Sequence, residues 1–302
     1  MFKSKNSMSR ALVRRETTAG YLFLLPSLFF FVTFVLYPMF LCIYTSFFDS
    51  NMGKNAVDVF VGLGNYKELF QDKLFLGALK NTVVIVVVAV PTVCAFSLWV
   101  ATAIYDMKPA LTSAFRCIFY LPVVTGSVAV TVVWKWMYNS RYGVFNYLFK
   151  SLGLIDQNIN WLGDARFALW CIILILFTTS VGQPIVLYVS ALGNVDHSLV
   201  EAAQVDGANR RQVFWKIKWA QIMPTTLYIL IITTINSFQC FALIQLLTSG
   251  GPTHSTDTIM YYIYYTAFKL YRYGYGNAMG VVLMIIIAVL SAVQFKLGQQ
   301  SD

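Results

Sequence analysis

The sequence predicts an all-α membrane protein with six transmembrane helices. Of its 302 residues, 58% are hydrophobic and only 12% are charged, whereas charged residues make up about 25% of a soluble domain. Six apolar blocks are long enough to cross the hydrocarbon layer, which takes about 20 residues of helix. Because a helix satisfies its backbone hydrogen bonds internally, it is the form that such blocks adopt in lipid.

A basic tail, residues 1–20, precedes the first block. It carries five basic residues against a single acid, Glu16: Lys3, Lys5, Arg10, Arg14 and Arg15. The apolar run that follows is too long for a signal peptide and leads into aromatic residues. We therefore expect a cytoplasmic tail that continues into an uncleaved first span.

The six predicted spans, which together with their loops form one transmembrane domain over 21–302, cover 21–48, 81–105, 115–138, 167–192, 225–247 and 277–297. Lys and Arg are enriched on the cytoplasmic side of membrane proteins. Under this rule the basic tail and the basic loop between the fourth and fifth blocks lie on that side. Both the N-terminus and the C-terminus are therefore predicted to be cytoplasmic.

The longest polar insertion in the second half of the chain, residues 195–220, predicts a hairpin of two short helices. Ser198, three residues before Glu201, has capping-box spacing for the start of the first helix. Gly207 suits the left-handed position that ends it, and Asn209 is expected to cap the second helix. Helices this short do not hold alone in water, so the hairpin must pack against something.

The run EAAQVDGANRRQVFWKI in this hairpin resembles the EAA loop of ABC-importer permeases. That pattern is Glu-Ala-Ala, three residues, Gly, nine residues and Ile-x-Leu-Pro, and five positions match it: Glu201, Ala202, Ala203, Gly207 and Ile217. Trp219 and Ala220 depart from its last two positions, so the end of the loop is expected to differ in shape. The alternative interpretation is an ordinary amphipathic connector at the membrane surface.

Three further segments resemble sugar-importer permeases. VGLGNYKELF follows the first span, and RYGVFNYLFKSLGLIDQNINWLGDARFAL precedes the fourth. The third segment is LLTSGGPTHSTDTIMYYIYYTAF, which resembles the Leu-Thr-x-Gly-Gly-Pro segment of the disaccharide and glycerol-phosphate permeases. Such importers contain two unlike permeases, and this segment favours the first of them, the one that resembles the maltose-system subunit. The two Gly and the Pro in it predict a turn at the end of the fifth span rather than an ATPase signature.

The resemblance implies a multi-pass permease in a bacterial cell membrane that imports a sugar or oligosaccharide. It also implies the partners: a second similar permease, two cytoplasmic ATPase subunits and an extracytoplasmic solute-binding protein. No cofactor is expected in this chain, because ATP and Mg²⁺ would bind the ATPase. The residues implied in coupling to it are Glu201, Ala202, Ala203, Asp206, Gly207, Val213, Phe214 and Ile217.

Each of these coupling residues has an expected role. Glu201 would anchor the hairpin to the ATPase by charge-assisted hydrogen bonds, and Gly207 would allow its bend. Val213 and Phe214 would supply an apolar contact, since they share a helical face with Ile217.

Two predicted spans carry polar clusters, TTSVGQP in the fourth and TTINSFQ in the fifth. Amides in hydrocarbon need hydrogen-bond partners or water. One interpretation is hydrogen bonding between helices, and the other, which we favour for the cluster, is a wet cavity that binds a polyhydroxylated solute. The candidate pathway residues are Thr179, Gln183, Thr233, Asn236, Ser237 and Gln239.

Trp134, Trp136 and Tyr138 close the third span. Aromatic residues at such positions are typical of the belt at the membrane–water interface. Stacking on a sugar ring at an outer gate is the alternative.

The sequence lacks the patterns of a catalyst. It has no phosphate-binding Gly-rich loop, no HExxH pair and no Ser elbow. The five Cys and two His are not spaced as metal ligands, so neither a catalytic residue nor a metal site is expected. The basic residues are scattered rather than clustered as nucleic-acid binding requires.

Two rival functions predict features that this sequence does not have. A secondary transporter driven by an ion gradient should carry acids within its spans or an inverted repeat, and no Asp or Glu lies in the middle of any block. A membrane-embedded enzyme would need a cluster of His or acids near an interface, and the sequence has none.

Overall fold

The computed structural model describes residues 3–50 and 58–299, which form a helical bundle with one short pair of strands. Residues 1–2 of the predicted tail and residues 300–302 at the end of the predicted transmembrane domain lie outside the described residues. The backbone of the rest of the tail is already helical, because α1 runs over Lys3–Phe31.

The first helix continues through a π turn, Val32–Leu36, into α2, Tyr37–Thr45. Pro38 comes just after the π turn. Proline has no backbone N–H to donate, and the altered hydrogen-bond pattern of the π turn accommodates this missing donor. Within Glu16–Thr45, none of the most apolar window is buried. This stretch therefore exposes its apolar side chains all round, as a helix does when lipid or another subunit surrounds it.

A small module follows the first helix. β1, Phe48–Asp49, pairs antiparallel with β2, Val59–Phe60, and places Phe48 opposite Phe60. The helix α3, Gly64–Leu69, lies within the VGLGNYKELF segment.

The helix α4, Lys73–Tyr105, is central to the bundle. Asp72 caps its start by accepting a 2.8 Å hydrogen bond from the Leu74 amide. Its buried residues recur at helical spacing over most of its length and include Phe75, Ala78, Thr82, Ile85, Ala89, Val93, Ser97, Val100 and Ile104. The helix is longer than the predicted second span because it begins in the preceding loop.

The segment predicted as the third span, 115–138, is a bent pair of helices. α5, Pro109–Val124, and α6, Ser127–Met137, meet at an angle of 95°. The chain leaves the helical conformation at Thr125 and Gly126, and Pro122 removes one of the last backbone hydrogen bonds of α5. A short helix, α7, spans Val144–Ser151 after the bend.

The fourth predicted span is also two helices, α8, Ala168–Ser180, and α9, Gly182–Gly193. Gly182 allows α9 to approach α5 closely, since a Cβ there would collide with the Phe119 carbonyl oxygen. Small residues commonly permit such contacts between membrane helices.

The remaining helices complete the bundle. They are α10, His197–Val205; α11, Arg210–Val213, which continues through a π turn at Phe214–Lys218 into α12, Trp219–Phe238; α13, Ala242–Leu247; α14, Ile259–Tyr264, followed by a π turn at Tyr265–Lys269; and α15, Tyr273–Gln299. α4 packs against α9 and α12, and α15 packs against α12, α2 and α3. Among the described residues, five helices are long and apolar enough to span a membrane, or six if the bent pair is one span.

Candidate coupling hairpin and solute cavity

The segment 195–220, here called the EAA hairpin, contains both predicted helices, α10 and α11. Asp196 caps α10, because its side chain accepts a 2.9 Å hydrogen bond from the Ser198 amide and a 2.8 Å bond from the Ser198 hydroxyl. The prediction that Ser198 is the cap was therefore wrong. Asp196 stands two residues earlier, and its carboxylate can accept the free amides at the start of the helix.

The turn between the two helices has the predicted chemistry. Gly207 has a φ of +82°, and the amide of Ala208 donates to the Ala203 carbonyl at 2.9 Å, which is the hydrogen bond of a Schellman motif. Asn209 and Gln212 form a reciprocal capping box at the start of α11, as the sequence predicts for Asn209. The bend is thus encoded by local residues.

The hairpin buries few of its own side chains. In α10 no residue is buried, and in α11 only Val213 is, while Phe214 and Ile217 are half-buried. Glu201, Ala202 and Asp206 are exposed. Glu201 has no hydrogen-bond or ion-pair partner within residues 58–299.

Large apolar side chains of the hairpin are also exposed. Leu199, Val205 and Trp215 are 51%, 87% and 61% exposed. On its inner side, a cavity of about 540 Å³ separates the hairpin from the ends of α4 and α9. Lys218 and Tyr105 both line this cavity. The Nζ of Lys218 lies over the Tyr105 ring, 5.1 Å from its centre, in a cation–π contact.

A second cavity, here called the polar cavity, lies where α5, the α8–α9 junction and α12 meet. It has a volume of about 160 Å³ and is lined by Val123, Thr179, Ser180, Gln183, Pro184, Leu187, Ile232, Thr233 and Asn236. Four of the six predicted pathway residues are therefore brought together: Thr179, Gln183, Thr233 and Asn236. Helical spacing explains this on α12, where Thr233 and Asn236 are three residues apart.

The other two predicted pathway residues do not line the polar cavity. Ser237 is buried, with 2% exposure, and Gln239 caps the end of α12. The apolar lining residues Val123, Leu187 and Ile232 were missed by the sequence analysis. No signal distinguishes them, because similar residues occur throughout the spans.

The amides in the polar cavity are available to a solute. Gln183 and Asn236 are exposed to it, and neither side chain has a hydrogen-bond partner in the described parts of the chain. The Thr179 hydroxyl instead donates to the Ile175 carbonyl at 3.0 Å. Two unpaired amides, each with donors and an acceptor, thus give this cavity free hydrogen-bonding capacity.

The segment 247–257, here called the GGP turn, reverses the chain after α13 as predicted. Gly250 has a φ of +84°, and Ser249 also has a positive φ. Thr256 and Asp257 are almost fully buried, and Nδ1 of the His254 ring lies 2.6 Å from Oδ2 of Asp257. Burial raises the pKa of Asp257, although the hydrogen bond and charge of His254 oppose this shift.

The GGP turn is fastened to its neighbours. Asn81 of α4 donates to the Asp257 carbonyl at 3.0 Å, and Thr258 donates to the Cys240 carbonyl at 2.8 Å. The Ile259 amide donates to the Thr82 hydroxyl at 3.0 Å.

A second network lies at the same end of α4. Asp72 accepts hydrogen bonds from the hydroxyls of Tyr262 at 2.7 Å and Tyr275 at 2.9 Å. Burial alone would raise the pKa of Asp72, but these bonds and the capping amides outweigh it and lower the pKa. Close by, Arg272 forms a bidentate pair with Glu68 at 2.8 Å.

The aromatic residues that end α6 have different surroundings. Tyr138 is 4% exposed and its hydroxyl donates to the Cys171 carbonyl at 3.3 Å, so the prediction of an interfacial belt was wrong for this residue. Trp134 stacks with Phe145 of α7, and the centroids of the two rings are 6.0 Å apart. Trp136, with 53% exposure, is the one of the three that faces outward. The α7 segment covers the other two rings, which could not be foreseen from α6 alone.

Comparison with known proteins gives a consistent result. Residues 59–299 match the family described as "Binding-protein-dependent transport system inner membrane component". The lactose transport system permease protein LacF of Rhizobium radiobacter is 32% identical, over 94% of this chain and 95% of the relative.

Two solved structures share the fold. A bacterial ABC transporter involved in the import of the acidic polysaccharide alginate has a TM-score of 0.82 at 23% identity, over 97% of this chain and 99% of that one. A bacterial alginate ABC transporter in complex with alginate pentasaccharide-bound periplasmic protein has a TM-score of 0.80 at 24% identity, over 93% of each chain.

Proposed function

Since this chain belongs to the family of binding-protein-dependent transport system inner membrane components, we propose that it is the permease subunit of a carbohydrate-uptake ABC importer. It moves a sugar or oligosaccharide into the cytoplasm, and a separate subunit hydrolyses the ATP. The observation that carries this proposal is the EAA hairpin, a two-helix unit that exposes Leu199, Val205 and Trp215 and whose Glu201 has no hydrogen-bond or ion-pair partner among the described residues.

The hairpin couples the spans to the ATPase. Leu199 and Val205 bury their exposed surface in a groove of the ATPase subunit, and the unpaired Glu201 accepts charge-assisted hydrogen bonds there. When ATP closes the two ATPase subunits, the hairpin moves with its groove and tips the bundle between inward-facing and outward-facing states. This is a two-state equilibrium that nucleotide biases at one end and the loaded receptor at the other.

Three partners complete the importer besides the ATPase pair. A second, similar permease covers part of α1–α2, whose apolar side chains are unburied in this chain. An extracytoplasmic solute-binding protein delivers the solute, a role supported by the periplasmic protein bound to the similar alginate transporter. Lipid surrounds the rest, with both termini and the hairpin in the cytoplasm of a bacterial cell.

The polar cavity is part of the solute pathway. Its amides and hydroxyls lie on α8, α9 and α12, and the hairpin joins α9 to α12 directly. Because α11 continues through the π turn into α12, a movement of the hairpin is transmitted along this helix to the cavity. The rival, transport driven by an ion gradient, lacks support, because α4, α8, α9, α12 and α15 contain no Asp or Glu.

The test is purification of the chain with a tag from its own cells, in mild detergent. We expect an ATPase subunit and a second permease to co-purify, and the complex to hydrolyse ATP faster when loaded binding protein is added. A chain that purifies alone and supports uptake that collapses with the ion gradient, not with ATP depletion, would contradict the proposal.

A further inference from the structure

The polar cavity contains no ionisable side chain. Its nine lining residues are hydroxyl, amide and apolar residues only. The helices that carry its polar groups extend this pattern, since α8, α9 and α12 contain no Asp, Glu, Lys, Arg or His along their whole length.

The nearest charge on the helices around the cavity is outside it. Arg116 lies on α5 seven residues before Val123, which is about 10 Å along a helix. Its Nε is buried without a hydrogen-bond partner, and it does not line the cavity. Within α5, α8, α9 and α12, therefore, no cation lies beside Gln183 and Asn236.

This lining offers no positive charge to compensate a negatively charged solute. A carboxylate or phosphate that leaves water for a site of low dielectric loses a large hydration energy unless an opposite charge compensates it. Membrane proteins that pass ions meet this cost with charged side chains or rings of them. A neutral sugar hydroxyl, in contrast, needs only donors and acceptors, which the free amides of Gln183 and Asn236 supply.

From this arrangement we propose that the solute is an uncharged sugar, and that Gln183 and Asn236 determine this specificity by hydrogen bonds to its hydroxyls. The inference rests on the proposed function and sharpens it. The similar proteins do not decide the matter, because one is named for lactose, a neutral disaccharide, and another for the acidic polysaccharide alginate.

Matched solutes test the proposal directly. Cells that carry the complete importer, and matched cells that lack only this chain, are given labelled pairs of equal length and linkage: galactobiose and digalacturonate, and mannobiose and dimannuronate. We expect chain-dependent uptake of a neutral member only. Chain-dependent uptake of a uronate overturns the inference and leaves the importer intact.

A panel in which no neutral member enters through the chain also overturns the inference. Co-purification of an ATPase then decides whether the proposed function falls with it, so the two failures are distinguishable.

Charge variants at one position provide a second test. Asn236→Asp and Asn236→Lys place opposite charges in the cavity. For a neutral solute, both should lower uptake by about tenfold or more at equal membrane levels, since each replaces an amide with a desolvated charge. If the two diverge, with uptake retained by Asn236→Lys and lost by Asn236→Asp, the solute is an anion and the inference is wrong.

Discussion

The EAA hairpin and the GGP turn both stand out in the sequence, yet they are built in opposite ways. The hairpin is held mainly by its own caps, Asp196 and Asn209, and α10 buries nothing. The GGP turn buries Thr256 and Asp257, and the Asp257 carbonyl accepts a hydrogen bond from Asn81 of α4.

This difference is the one that we expect between the proposed docking surface for the ATPase and a scaffold. A segment with few buried contacts opens or moves at low cost, whereas a buried network resists displacement. The hairpin therefore suits a contact that transmits force, and the GGP turn suits a fixed point against which the bundle moves. Substitutions in the hairpin should affect function first, and those in the turn should affect stability first.

The largest effect is expected at the bend of the hairpin. In Gly207→Pro, the new proline cannot adopt the φ of +82° that Gly207 has, because proline fixes φ near −65°. A second variant, Glu201→Lys, reverses the exposed charge. Each should abolish uptake while the protein still reaches the membrane, as measured by solute accumulation and by immunoblots of membranes.

Glu201→Gln is the matched control for the charge reversal. It keeps the hydrogen-bonding group without the charge and should retain part of the uptake. Normal uptake with Gly207→Pro or Glu201→Lys would remove the hairpin from the mechanism.

A large loss of stability, rather than of coupling, is expected in the GGP turn. Gly250→Ala adds a Cβ that collides with Oδ1 of Asp257 and strains a φ of +84°. Strain costs about 1–2 kcal/mol, and overpacking adds about 1–3 kcal/mol. Thermal unfolding of the purified protein should show a lowered Tm.

Gly153→Ala isolates the collision from the strain. Gly153 also has a positive φ, of +68°, but a Cβ there meets nothing within 4 Å. Its Tm should fall less than that of Gly250→Ala. Equal losses would mean that the packing around Asp257 contributes nothing.

A smaller, more selective effect is expected in the polar cavity. Asn236→Leu removes an amide that faces the cavity and should lower uptake by about tenfold, while binding of the ATPase subunit is unchanged. Gln239→Leu also replaces an amide with leucine, at the C-cap of the same helix and outside the cavity, and its effect on uptake should be much smaller. If neither change affects uptake, the polar residues serve only in packing.

Local signals in the sequence predicted much of the hairpin. The cap at Asn209 and the left-handed Gly207 depend on residues within one turn, so their spacing was sufficient. The same reasoning placed the first cap at Ser198 and did not include Asp196, which also has a capping side chain two residues earlier. The bend after Pro122 was missed, since a proline in a membrane helix is compatible with a straight span.

Long-range contacts were beyond the sequence analysis. Polar residues of the fourth and fifth spans were visible, but which of them face the cavity depends on how α5 and α12 pack. The bonds from Tyr262 and Tyr275 to Asp72 join residues far apart in the chain, and each residue alone resembles many others in the sequence.

The smallest effect is expected at Asp72, near the fixed end of α4. Asn is as good a helix cap as Asp, so Asp72→Asn removes the charge and leaves the cap. The folded-state pKa of Asp72 is lowered, so its stabilisation is complete above the ordinary pKa of about 3.9 and is lost as the pH falls through the lower folded value. At pH 7 the variant should be less stable by about 1 kcal/mol, because hydrogen bonds to a half-exposed carboxylate are screened. The Tm difference from the unmodified protein should shrink as the pH falls below 4, and a difference that stays constant would mean that the two tyrosines do not depend on the charge.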